Sequence, residues 1–144
     1  MRAEYPVGMR GVLALAAAGA VLVGCGSASS AGTSAATSLT ITYSPHGSHA
    51  GATKTWRLRC GPAGGTLPRP AVACRRLAAG GPKLFAAVPK DVVCAQIYGG
   101  PQTARVVGTL DGKRIAAAFS RVDGCQIGRW NRVSPWLLPR GGVI

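Results

Sequence analysis

Four cysteines, Cys60, Cys74, Cys94 and Cys125, punctuate this 144-residue chain at intervals few folds can use. Thirteen, nineteen and thirty residues separate them, and no two form a C-x-x-C pair. A structural zinc site needs closely spaced ligand pairs, so the spacing speaks against one. In a small exported domain the same residues read as two disulfides, and sequence alone leaves three pairings open. Such a domain has a modest core and depends on its cross-links.

Export is written into residues 1–24. Arg2 and Arg10 supply positive charge, and Val12 to Val23 is an apolar run of twelve residues. That length suits a signal peptide and is too short to span a bilayer comfortably. The run closes on Leu22-Val23-Gly24-Cys25, which resembles a bacterial lipobox. The resemblance implies cleavage before Cys25 and a lipid on its sulfur, anchoring the protein to the outer face of the cell membrane; two or three acyl chains hold stably where one is marginal. The competing reading is an ordinary secretory peptide cut near Ala28, giving a freely secreted product. From Gly26 to Ser38 every residue is Gly, Ser, Ala or Thr. Such a segment buries too little apolar surface to order, and as a flexible coil it spans roughly 20 Å. The expected organisation is a lipoprotein signal peptide over 1–24, lipidated Cys25 with its linker over 25–38, and one domain over 39–144.

Within that domain, Leu39-Thr40-Ile41-Thr42-Tyr43 alternates apolar and polar and predicts a strand. Ser44 to Ala52 reads as a loop. Lys54 to Cys60 alternates again, with Trp56, Leu58 and Cys60 inward and Thr55, Arg57 and Arg59 toward water. Gly61 to Arg69 is turn-rich. Pro70 suits the first turn of a helix that carries Ala71, Cys74, Leu77 and Ala78 at helical spacing and ends at Gly80-Gly81. Pro82 to Val93 is expected as an irregular segment or a single helical turn, with Leu84, Phe85 and Val88 over the core. Ala104 to Leu110 and Lys113 to Arg121 are strand-like runs joined by Asp111-Gly112, the residues of a type I′ hairpin turn. Val106, Leu110, Ile115 and Phe119 can share their buried face. Gly128 to Trp136 is expected as a short helix or turn, and Trp136-Leu137-Leu138 as a last strand. The sum is an α+β fold: an antiparallel sheet of four to five strands with one or two short helices on one face.

Charge and residue types narrow the chemistry. Setting aside Arg2, Arg10 and Glu4 leaves fifteen Lys and Arg against Asp91, Asp111 and Asp123, a net charge of +12. That balance suits an anionic polymer or an acidic partner, while an address outside the cell argues against nucleic acid. The three aspartates are dispersed and no nucleophile-elbow motif is present, so no catalytic set is expected. His46-x-x-His49 lacks further ligands nearby, and neither a metal nor a cofactor is expected. What remains is binding. One form of it is a non-inhibitory surface module in which Arg105, Arg121, Arg129 and Arg132 surround Trp130 as a basic patch for an anionic envelope polymer or a partner protein. Against it, Trp130 is expected in the core with the arginines flanking it in water.

The other form comes from a resemblance. The order of motifs from Leu39 to Leu138 is similar to the Streptomyces-type subtilisin inhibitor family of serine-protease inhibitors. Its pieces are the opening Leu39-Thr40-Ile41-Thr42; Cys60-Gly61-Pro62 with Gly65-Thr66-Leu67-Pro68; Pro70-Ala71-x-Ala73-Cys74 and a leucine helix closing on Gly80-Gly81; Cys94-x-x-x-Tyr98 and Pro101; a hairpin holding Thr109, Gly112, Lys113 and Arg114; and Phe119-Ser120 ahead of Cys125. The resemblance implies the pairings Cys60–Cys74 and Cys94–Cys125, a five-stranded sheet with two helices, and a homodimer through the sheet. It also implies a reactive loop of Cys94, Ala95, Gln96, Ile97 and Tyr98, with the bond between Gln96 and Ile97 presented to a secreted subtilisin-like or trypsin-like protease.

Three departures from the family pattern bear on potency. Gln96 stands where Met, Lys or Arg is usual; burying its amide incompletely paired costs about 1–3 kcal/mol, roughly ten- to a hundredfold in affinity. Ala95 replaces a common proline, which lowers loop stiffness by about 0.4–1 kcal/mol. Gly99-Gly100 before Pro101 is one residue longer and more pliable than the usual Asp-Pro.

Overall fold

The computed structural model describes residues 36–47 and 51–142. The signal peptide, Cys25, most of the linker and His49 lie outside them. Five strands form one antiparallel sheet: β1 Thr37–Ser44, β2 Lys54–Cys60, β3 Gly64–Gly65, β4 Thr103–Leu110 and β5 Lys113–Phe119, in the order β3-β2-β1-β4-β5. Helices α1 (Pro70–Gly80) and α2 (Gly124–Val133) and a 3-10 turn over Gly81–Phe85 complete it. The expected sheet and helices are present, and the strand missing from the sequence reading is β3, two glycines inside a turn-rich stretch.

Alternation sets the layers. Leu39, Ile41 and Tyr43 of β1, Leu58 of β2, Ala104, Val106 and Leu110 of β4, and Ile115, Ala117 and Phe119 of β5 all face one buried side. Ala73 and Leu77 of α1, Phe85, and Trp130 and Val133 of α2 close over them. The partners on the other side of the sheet, among them Arg57, Arg59, Arg105 and Arg114, stay exposed. Period-two patterning on a one-sided sheet admits a single register, because a one-residue slip would turn every apolar side chain to water.

The hairpin forms as its turn residues dictate. Leu110 pairs with Lys113, and Asp111 and Gly112 take φ of 48° and 76°. Thr37 Oγ1 accepts from the Asp111 amide and donates to its carboxylate, which draws residues 37 and 38 of the expected linker into β1. Disulfides Cys60–Cys74 and Cys94–Cys125 are present, with Cα separations of 5.7 and 5.4 Å. The first staples α1 to the end of β2.

Two expectations at the C-terminus change. The helix expected from Gly128 begins at Gly124, because Asp123 caps it: its Oδ1 accepts from the Gln126 amide at 2.8 Å. The expected strand Trp136–Leu138 is a turn. The amides of Leu137 and Leu138 both donate to the Val133 carbonyl, so these residues wrap the end of α2 and bury as a plug.

Gly108 in mid-β4 shows how closely the sheet is drawn. It sits at φ 142°, and a Cβ there would lie 2.0 Å from the Ser38 carbonyl oxygen. Gly108→Ala is expected to lower stability by more than about 2 kcal/mol, since both backbone strain and a backbone clash resist it. A urea titration followed by tryptophan fluorescence reads the change.

Candidate reactive loop

From Ala86 to Gln102 the chain leaves the 3-10 turn and crosses to β4 without helix or strand. Buried or half-buried backbone in such a segment needs partners from elsewhere. They come from the residues that follow β5. Cys94 is bonded to Cys125 in the first turn of α2. The Ala95 carbonyl accepts from the Gly124 amide at 2.9 Å and also from the Ile97 amide at 2.9 Å, a tight turn centred on Gln96. Four residues on, Gly99 is gripped twice: its amide donates to the Arg121 carbonyl at 2.8 Å, and its carbonyl accepts from Arg121 Nε at 2.9 Å. The stretch between is an arch with both feet on residues 121–125.

The arch presents its side chains to water. Ile97 is 55% exposed and Tyr98 63%, and Gln96 folds its amide back onto the Cys94 carbonyl at 3.1 Å. Among the described residues, every exposed large hydrophobic belongs to this region: Val92, Val93, Ile97, Tyr98 and, from the supporting segment, Val122. Exposed large apolar side chains on and beside one irregular segment make it a candidate interaction surface. Sequence reasoning singled out Cys94 to Tyr98 but missed Val92, Val93 and Val122. A readable signal was there, for Val92 and Val93 match no periodic face, helical or strand.

Gly99 and Gly100 are not slack. A Cβ on Gly99 would meet Ile127 Cδ1 at 2.8 Å, and Gly100 sits buried at φ 126° against the Gln102 side chain. Gly100 is required by its positive φ and the nearby Gly142 carbonyl, and Gly99 by the close packing of Ile127 against it.

The alternative basic patch does not assemble, and two of the arginines expected in water beside Trp130 are buried. Arg121 and Arg129 are 9% and 6% exposed and lie inside the molecule. Arg129 donates to the carbonyls of Ala86 and Ala118 and to Gln126 Oε1, at 2.8, 3.0 and 2.7 Å, with its guanidinium 4.9 Å from the Phe119 ring centroid. Burial pushes its pKa below the usual arginine value, and the charge of Arg132 adds to that. The bond to Ala86 ties the start of the irregular segment to β5. Arg121 stands 5.8 Å from the Trp130 ring and holds its far end. Trp130 itself is fully buried, as expected.

Among the described residues, Cys94, Asp123 and Cys125 are the one grouping of metal-type donors, and both sulfurs are committed to the disulfide. His46 is exposed on its loop.

The sequence profile of the subtilisin inhibitor-like family matches residues 32–122. The chain belongs to the subtilisin inhibitor-like family. Members of this family are inhibitors and not enzymes. No curated protein matches the sequence. Among solved structures, sermetstatin of Streptomyces caespitosus, crystallised with Bacillus licheniformis subtilisin, is 26% identical with a TM-score of 0.48, over 73% of this chain and 99% of its own. The match ends at residue 122, just before the Asp123 cap of α2.

Arg129→Met is expected to destabilise the fold by about 1–3 kcal/mol, because it strands the Ala86 and Ala118 carbonyls while keeping much of the side-chain volume. Denaturant unfolding measures the loss, and faster amide exchange across residues 86–93 locates it.

Proposed function

We propose that this chain inhibits secreted serine proteases by offering the Cys94–Tyr98 arch as a substrate that is cut and rejoined at Gln96–Ile97. The observation that carries the reading is exposed Ile97 and Tyr98 on an arch pinned at both feet. A segment already fixed in its bound shape loses little entropy on association, so its contacts appear as affinity. The protease serine adds to the Gln96 carbonyl, and its proton passes through the enzyme's own base to the Ile97 nitrogen as the peptide bond opens. Cys94 stays covalently attached to Cys125, Ala95 stays bonded to Gly124, and Gly99 stays held by Arg121. The new amine therefore remains beside the acyl-enzyme and re-forms the bond, taking the place water would need.

Gln96 points to the class of target. Its apolar stem enters a broad or apolar specificity pocket, and it brings no cation for the acidic pocket of a trypsin-like enzyme. Subtilisin-like proteases are the preferred partner on this ground. The uncovered sheet face carries Arg57, Arg59, Arg105 and Arg114 and no carboxylate. Two copies stacked through it would oppose like charges, so the protein acts as a monomer and not as the family's sheet dimer.

The lipobox completes the proposal: a membrane-tethered inhibitor on the outer face of the cell. The linker enters β1 at Thr37, and the arch leads into β4 at Thr103, which pairs with Ser44 at the other end of β1. At about 3.3 Å per residue the two ends of β1 stand roughly 23 Å apart, so the linker and the arch meet the sheet at opposite ends of that strand.

Incubation with subtilisin and trypsin tests the bait. The parent should inhibit subtilisin, with slow cleavage mapping to Gln96–Ile97, and Gln96→Lys should move inhibition to trypsin by about a hundredfold or more. If neither folded protein inhibits either enzyme, the proposal fails. Metabolic labelling with a fatty-acid probe tests the tether: Cys25 should carry the label, and an unlabelled product free in the medium would remove the membrane from the scheme. Sedimentation at low ionic strength should show a monomer.

A further inference from the structure

We infer that the C-terminal tail, Pro139–Gly142, is a strap that positions the outgoing foot of the arch, with Gly141 and Gln102 as its positioning residues. The inference rests on the bait reading above for its consequence, while the strap itself stands on contacts that do not depend on it.

The root of the tail is rigid. The Pro139 carbonyl accepts from Trp130 Nε1 at 2.9 Å and from Ser134 Oγ at 3.1 Å, and Trp130 is fully buried. From there the chain passes over Arg121. Gly141 lies so close to the guanidinium that a Cβ would fall 2.1–2.3 Å from its Cζ, Nη1 and Nε. The tail is thus the outer wall that confines Arg121 where Nε reaches the Gly99 carbonyl. One residue on, the Gly142 carbonyl accepts from Gln102 Nε2 at 2.7 Å. Gln102 is 4% exposed, and its unpartnered Oε1 is turned toward Gly100, where a Cβ would lie 2.4 Å from it and 2.7 Å from the Gly142 oxygen. Residues 99–102 are therefore boxed between Arg121, Gln102 and the tail: Gly100, at φ 126° against the Gly142 carbonyl, admits only glycine, while a side chain at 99 or 141 would have to displace Ile127 or the Arg121 guanidinium.

This asymmetry has a consequence for inhibition. After cleavage the acyl side of the arch is retained by a covalent bond, Cys94–Cys125. The amine side, Ile97 and Tyr98, is retained through Gly99 and so through Arg121 and the strap. A loosened strap lets the Ile97 amine swing away, and water then takes the acyl group as an ordinary hydrolysis product. The tail itself, Pro139–Gly142, lies beyond the family match, which ends at residue 122.

The test is Gly141→Val in the otherwise unchanged protein, with Gln102→Ala as a second variant that removes the tail's hydrogen bond without adding bulk. In both, exchange of the Gly99 amide, followed by NMR, should quicken by about tenfold or more while protection of the β1 and β4 amides persists. With subtilisin, the ratio of cleaved to intact Gln96–Ile97 bond should rise by a similar factor, and inhibition should decay during long incubation where the parent's does not. Unchanged Gly99 exchange in both folded variants overturns the strap. A parent that inhibits nothing overturns the bait reading instead, and Gly99 exchange still decides the strap. Faster exchange with unchanged bond equilibrium and lasting inhibition would overturn the positioning role.

Discussion

Two buried guanidinium groups hold a long stretch of chain that has no secondary structure of its own. Arg129 ties Ala86 to β5 at the start of the segment, and Arg121 ties Gly99 near its end. Neither contact uses a carboxylate. Carbonyl dipoles and aromatic faces share the charge, which suits a delocalised, weakly hydrated guanidinium and would not suit a lysine. Leaving a buried charge without such partners would be costly, so both arginines are committed to their acceptors. The order of the irregular segment follows from that commitment.

Between those two fixed points the Cys94–Cys125 disulfide does something the arginines cannot. It makes the link covalent at the foot of the arch and places it on a helix start that Asp123 caps. Closing a loop of that length removes roughly 3–4 kcal/mol of unfolded-chain freedom in the chain-entropy account, a large share for a domain with a small core. Ala95, where a proline would stiffen the chain directly, reaches a similar end through its carbonyl, which accepts from both Gly124 and Ile97. Stiffness that a proline ring would supply locally is supplied here by tertiary hydrogen bonds.

How much of this was legible depended on whether the signal was local. The strands around Ile41, Leu58, Val106 and Ile115 follow from alternation, and the Asp111-Gly112 turn from a demand for positive φ that few residue pairs meet. Helix α1 follows from Pro70 and its apolar spacing. Helix α2 was placed four residues late because Gly124 and Gly128 break its pattern, while its true start lies in one side chain, that of Asp123. Trp136–Leu138 read as a strand because a short apolar run looks alike whether it pairs in a sheet or plugs a helix end. The arginines were placed in water because burial of a cation depends on acceptors far along the chain. Ala86 and Gly99 give no sign in sequence that their carbonyls will serve.

The sequence by itself determined the α+β architecture, the number of cross-links, the hairpin and the family motifs that marked Cys94 to Tyr98, all of which rest on periodicity, turn chemistry and residue order. Tertiary structure alone decided that the arch has two feet, that Arg121 and Arg129 are internal braces and not a surface patch, that Val92, Val93 and Val122 stay exposed, and that the tail reaches back over Arg121 to Gln102. The physical reason is distance along the chain. Local rules see neighbours within a few residues, whereas each of these features is a meeting of segments more than twenty residues apart, settled by which carbonyls and apolar faces are left to be satisfied once the sheet has formed.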